Sequence, residues 1–211
     1  PTATSTLTPT PTPATTTLTF VTEADARVAQ LAPTTNYGTS SYLQADGNAG
    51  AVVDSYLRFT VSGVSGAIQS AKLRVYCTTN GTVNGPAAYA ANNSWVESGS
   101  GGITWDTKPG LLSGGYDNKG AIAKNTWVEF DVTALVSGNG VYTFALIADS
   151  SDAVTLSSRE GASPPQLVIE VDASGLPTAT STPTAAVTHT PTYTPTITPT
   201  NTPTDIPTPT A

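Results

Sequence analysis

Proline recurs at every fourth position from Pro191 to Pro203, in the phrase Thr-x-Thr-Pro with His189, Tyr193, Ile197 and Asn201 in the variable place. Nothing constrains the chain more. Proline removes a backbone donor, clashes with a preceding helical turn, and pushes the residue before it towards extended geometry. The α-helix is therefore excluded, and the segment is expected to populate polyproline II, rising ~3.1 Å per residue. At that rise Pro177–Ala211 reaches on the order of 100 Å. It has too few apolar side chains to offset the entropy of ordering, so any core lies elsewhere.

Composition follows the same division. Residues 1–19 and 177–211 hold 12 of the 17 prolines and one charge, Asp205. Residues 20–172 hold all eight Lys and Arg, 14 of the 15 Asp and Glu, every Trp and Phe, and all but one Tyr. We expect a Thr/Pro linker at 1–19, one globular domain at 20–172 and a second linker at 173–211; ~150 residues suit a single core. The domain's net charge of −6 (8 − 14) argues against nucleic acid or an anionic membrane surface as partner. No apolar run approaches the ~20 residues of a membrane span. No signal peptide is visible, and the lack of Met with a start inside a Pro/Thr tract suggests a mature segment of something longer. PTATST occurs at Pro1–Thr6 and again at Pro177–Thr182. A tandem array gives that repeat, and so does low-complexity sequence matching itself.

Ten threonines precede Phe20 and fifteen follow Gly175, the composition of an O-glycosylated stalk. Thr188, Thr190, Thr192, Thr194, Thr196, Thr198, Thr200 and Thr202 are the candidate acceptors. Covalently attached glycans are thus the first expected partner, in an extracellular or cell-surface setting. Asn80-Gly-Thr82 and Asn92-Asn-Ser94 are N-glycosylation sequons.

Between the tracts, short runs rich in β-branched and aromatic residues alternate with Gly, Asn and Ser clusters. They are DARVAQ, SSYLQAD, DSYLRFTV, IQSAKLRVYC, AAYAA, TWVEFDVT, GVYTFALIA, AVTLSS and PQLVIEV. Alternation puts Ser55, Leu57 and Phe59 on one face, as it does Val128, Phe130 and Val132, Tyr142, Phe144 and Leu146, and Leu167, Ile169 and Val171. Leu73, Val75 and Cys77 share a face too, so the single cysteine reads as a buried, inert thiol. Residues Thr15–Thr22 could add a strand to this sandwich or to a neighbour's edge. Nine to ten short strands and no long amphipathic helix imply an all-β, jelly-roll-like antiparallel sandwich.

An ordered set of motifs adds to this. APTTNYGTSSYLQAD (Ala32–Asp46), DSYLRF, AKLRVY, SWVESGSGGITWDTKPG (Ser94–Gly110), WVEFDVT, YTFAL and SSREGASPPQLVIEV (Ser157–Val171) resemble, in that order, the DNRLRE domain, also described as a disaggregatase-related or alginate-type carbohydrate-binding module. The resemblance covers roughly residues 23–171. It implies a jelly-roll sandwich serving as an accessory domain of large secreted and surface proteins, some members binding acidic polysaccharides. The Gly-rich insertion Ser98–Gly102 departs from the family pattern.

The chemistry-bearing residues point away from catalysis. The only histidine, His189, lies in the tail, which removes Ser-His-Asp and Cys-His nucleophiles and the usual zinc sites from the domain. Carboxylate pairs such as Asp149 with Asp152, or Glu129 with Asp131, are present, but the second pair occupies the polar side of a strand. We expect no enzyme and no required cofactor. Asp46, Asp149 and Asp152 lie in turns that could hold a structural calcium. A sugar site needs an exposed aromatic beside hydrogen-bonding groups. Tyr56, Arg58, Lys72, Arg74 and Tyr76 could form a basic-aromatic face for an acidic polysaccharide, with Trp127 on the polar side of its own strand. Trp95 and Trp105 are expected to plug the sandwich ends, and Arg159 with Glu160 to pin a loop. We expect a structural bead in an extracellular fibre or stalk, joined to neighbouring copies by glycosylated rods; the alternative is a non-catalytic carbohydrate-binding module for acidic polysaccharide, linked to an enzyme.

Overall fold

The computed structural model describes residues 14–173; residues 1–13 and 174–211, with every O-glycosylation candidate from Thr188 to Thr202, lie outside the described residues. Ten strands are present among the described residues: β1 Thr15–Val21, β2 Ala24–Ala29, β3 Tyr42–Ala45, β4 Val53–Val61, β5 Ile68–Cys77, β6 Ala87–Ala91, β7 Thr126–Asp131, β8 Gly140–Ile147, β9 Val154–Ser157 and β10 Gln166–Asp172. All nine runs expected from alternation are strands. One 3-10 turn, Thr133–Leu135, separates β7 from β8. Among the described residues no helix is long and apolar enough to cross a membrane.

The strands form two antiparallel sheets. A six-stranded sheet has the order β1-β10-β5-β9-β3, with β7 also paired to β5, and a four-stranded sheet has the order β2-β4-β8-β6. Lys72, Leu73 and Arg74 of β5 have partners on both sides, β10 on one and β7 on the other. From β1 to β9, consecutive strands alternate between the sheets, so each connection crosses the sandwich. The inward residues meet between the sheets. Leu57, Phe59, Phe144 and Leu146 from one side pack on Leu73, Val75, Phe130, Leu156, Leu167 and Ile169 from the other. Cys77 is buried among them, and burial pushes its thiol above the ordinary value.

The compositional boundary at residue 19 falls inside β1. Its threonines hide an alternating strand: Leu18 and Phe20 turn inward against the core, and the whole of β1 pairs with β10, from Thr15 opposite Asp172 to Val21 opposite Gln166. At the end of this ladder the Ala173 amide donates to the Ala14 carbonyl at 2.8 Å. The segment that could have joined a neighbour's sheet is used within its own.

A second apolar cluster lies outside the sandwich, on the outer face of the four-stranded sheet. There Ala24, Ala26, Val28, Tyr56 and Ala145 are covered by Trp95 and Ile103, with Trp105 and Tyr89 packed against them. The cover is the long connection from β6 to β7, residues 92–125. Trp95 donates its Nε1–H to Thr143 Oγ1 at 3.1 Å, and Asn36 Nδ2 donates to the carbonyls of Glu97 and Ile103 at 2.8 and 2.7 Å. Gly38 lets the chain come this close: a Cβ there would sit 1.9 Å from the Glu97 carbonyl oxygen. Further on, Leu111 and Tyr116 bridge to the free edge of β6. The two tryptophans expected at the sandwich ends therefore roof one sheet instead. The Ser98–Gly102 insertion is the turn that returns the roof on itself, with Val96 and Gly102 bridged and Gly99 and Gly101 at φ of 76° and 80°.

Candidate functional site

The outward residues of the two sheets meet different surroundings, and this divides the expected basic-aromatic face. Tyr56 and Arg58 project from β4 under the roof. Tyr56 is 1% exposed, and burial beside Asp54 raises its hydroxyl pKa above the ordinary value. The Arg58 guanidinium lies 5.0 Å from the Trp95 ring centroid and donates to the Trp95 carbonyl at 2.6 Å and to Glu23 Oε1 at 3.1 Å. Both serve to hold the roof. They do not join Lys72, Arg74 and Tyr76, which project from β5 on the far side of the molecule.

The outer face of the six-stranded sheet is open. The register sets Tyr76 opposite Trp127, Arg74 opposite Glu129 and Lys72 opposite Asp131. Tyr76 meets Trp127 edge-on, with centroids 5.4 Å apart, and the Arg74 guanidinium lies 4.9 Å from the Trp127 ring. Trp127 is 38% exposed, with no roof above it. Each cation already faces an acid: Arg74 Nε is 2.9 Å from Glu129 Oε1 and Lys72 Nζ 2.5 Å from Asp131 Oδ2. Hydrogen bonds from Lys72 and Thr133 hold the Asp131 carboxyl well below its usual range. Glu129 and Asp131, considered above as a carboxylate pair, are thus ion-pair partners on a solvated face.

The three turn aspartates hold loops. Asp46 Oδ1 accepts from the Asn48 amide at 2.9 Å, Asp149 Oδ1 from Asn84 Nδ2 at 3.1 Å, and Asp152 Oδ2 from the Val83 amide at 2.6 Å. The carboxylates that do converge are Asp25, Glu97 and Glu160, whose oxygens lie within 4.8 Å of one another. No spacing in the sequence announces them, because they come from β2, the roof and the turn before β10. Arg159 sits among them: its amide donates to Asp25 Oδ2 at 2.7 Å, and its guanidinium lies 2.9 Å from Glu97 Oε2 and 3.3 Å from Glu160 Oε1. This is the loop pin expected of Arg159 with Glu160, extended to the roof. Burial pushes the Asp25 carboxyl up to about 8.

One groove was not anticipated. It has a volume of about 520 Å³ and is lined by Ser41, Tyr42, Gln44, Thr78, Thr79 and Thr155. The signal was present in SSYLQAD, where Leu43 and Ala45 turn inward and so send Tyr42 and Gln44 out.

Residues 16–171 match carbohydrate-binding module family 96. Comparison with curated proteins gives no match.

Proposed function

We propose that this chain, which belongs to carbohydrate-binding module family 96, holds a polysaccharide on the outer face of its six-stranded sheet and performs no bond chemistry on it. The observation that carries this is Trp127, an exposed indole braced by Tyr76 and flanked by Arg74. A sugar ring presents an apolar CH face that stacks on such a surface, and its hydroxyls need donors and acceptors at the rim. Arg74, Lys72 and their acids supply that rim.

A chain bearing carboxylates is the preferred ligand. Exposed ion pairs such as Arg74–Glu129 contribute only about 0.2–1 kcal/mol, so an incoming carboxylate can exchange into them at small cost. The module would act outside the cell, with the Thr/Pro tracts as spacers. The bead-and-rod fibre has less to support it, since β1 is paired with its own β10 rather than offered to a neighbour.

Affinity electrophoresis of the full chain through gels containing alginate or pectate tests the proposal. The expected result is retardation that falls about tenfold in affinity for Trp127→Ala and weakens with salt. Unretarded migration of the wild-type chain in both polymers overturns it.

A further inference from the structure

We infer that the groove beside Tyr42 is a second carbohydrate site, built for an uncharged glycan, on the same outer sheet face as Trp127 but lined by different residues. It rests on the binding reading above only in taking the domain to be a carbohydrate-binding module; the ligand class and the residues differ.

The lining decides the class. Six side chains surround the groove, and together they present hydroxyls, one amide and one phenol, with no carboxylate and no cation. Gln44 and Thr155 are cross-strand partners, and the Thr78 amide donates to the Thr155 carbonyl at 2.9 Å, so the three stand in one row across the sheet. The side-chain polar groups of Ser41, Gln44, Thr79 and Thr155 make no hydrogen bond within the described residues. A groove of about 520 Å³ with convergent, unspent donors and acceptors suits the hydroxyl rim of a neutral sugar. Among these six side chains a carboxylated sugar would find no charge to answer its own.

The aromatic wall is already ordered. One face of the Tyr42 ring is taken by the Arg27 guanidinium at 3.9 Å, which also lies 4.2 Å from the Tyr37 ring. Arg27 is held in place by the Tyr42 carbonyl, to which it donates at 3.1 Å, and by Ser40 Oγ. Tyr42 is 39% exposed, so part of the stacked ring is open to solvent. The neighbouring rim is fixed as well. The Ser158 amide donates to the Ser41 carbonyl at 3.4 Å, and Gly161 comes so near that a Cβ would lie 2.8 Å from that carbonyl. Ordering a ring before the ligand arrives lowers the entropy lost on binding. Arg27 therefore positions the platform, and the groove's own side chains read the ligand.

The test is affinity electrophoresis of the full chain in neutral polymers (xyloglucan, mixed-linkage β-glucan, galactomannan) beside alginate and pectate. Retardation is expected in at least one neutral polymer, insensitive to salt. It should fall about tenfold in affinity for Tyr42→Ala and several-fold for Gln44→Ala and Thr155→Val, with Trp127→Ala unchanged. Gln44 and Thr155 guard against a misfolded Tyr42 variant, since their side-chain polar groups hold no part of the fold together. Three results overturn the inference: no retardation by any neutral polymer, retardation that Trp127→Ala abolishes, or binding that Gln44→Ala and Thr155→Val leave intact. Retardation by acidic polymers alone, lost in Trp127→Ala, leaves the function proposed above standing and removes this site; loss of acidic binding alone does the reverse.

Discussion

DSYLRF in β4 and KLRVY in β5 look interchangeable: each alternates apolar residues with a tyrosine and an arginine. In the folded molecule their outward tyrosines have opposite fates. Tyr56 is sealed beneath Trp95 and Ile103, whereas Tyr76 braces an exposed indole. The difference is the first part of the β6–β7 connection, whose Trp95, Ile103 and Trp105 cover the four-stranded sheet. Its later part reaches the β7 edge through Asp117 and buries Ile122 in the main core. Alternation states which residues leave the core; it does not state whether they meet water or another part of the chain.

The largest effect expected from breaking this contrast is at Trp95. Trp95→Ala removes a buried indole together with its bond to Thr143 and its stack on Arg58, and should cost about 3–5 kcal/mol in denaturant unfolding. Trp127→Ala on the open face should cost less than about 1 kcal/mol. Equal losses would mean that the two faces are not differently built. Next in size is Lys108, which reaches from the roof to Asp54 Oδ2 at 2.6 Å while stacking on Trp105 at 3.3 Å. Asp54 is buried and its other oxygen has no partner. Lys108→Met should therefore cost about 2 kcal/mol, and adding Asp54→Asn should recover much of it. Lys72→Met, which breaks an exposed pair, should stay within about 1 kcal/mol. Failure of the second substitution to rescue would show that Lys108 acts by packing alone.

The contrast also extends to pH dependence, whose sign differs between the two carboxylates. Asp25, raised to about 8 chiefly by burial and further by Glu160 and Glu97 against the Arg159 amide and charge, keeps a proton in the folded state that the unfolded chain releases near 3.8. Its contribution is complete below about pH 4 and is lost as pH rises towards 8. Asp131, held low by Lys72 and Thr133, contributes above the unfolded value of 3.8 and loses that contribution as pH falls. Unfolding free energies measured from pH 3 to 9 should show Asp25→Asn flattening the neutral limb and Asp131→Asn the acid limb. An unchanged neutral limb in Asp25→Asn would place that carboxyl in an ordinary environment.

Much of the fold could be read from the sequence, because period-two alternation is local and each run carries its own turn residues. Leu57 and Phe59, or Leu167 and Ile169, announce their inward face without reference to anything distant. β1 was half hidden, since threonine belongs equally to a strand and to a Pro/Thr tract, and only Leu18 and Phe20 mark the difference. The site was legible in fragments. Arg74, Tyr76 and Trp127 come together because β5 and β7 pair in register, and alternation had put all three on polar sides. Tyr56 and Arg58 depart from the expected face because the roof covers them, a non-local contact that no strand pattern encodes. The Tyr42 groove depends on three chain segments meeting at a sheet end, and local sequence carries only one of its walls.

The hydrogen bond between Ala173 and Ala14 has a mechanical consequence. The chain enters and leaves the domain on neighbouring antiparallel strands, at the same end of one ladder. Tension applied through those two residues would load the rungs between β1 and β10 one after another, as a zipper opens, instead of shearing them together. Rungs loaded one at a time give way at lower force than rungs sheared together, so this ladder would open more easily from the Ala14–Ala173 end than if its two strands were pulled from opposite ends.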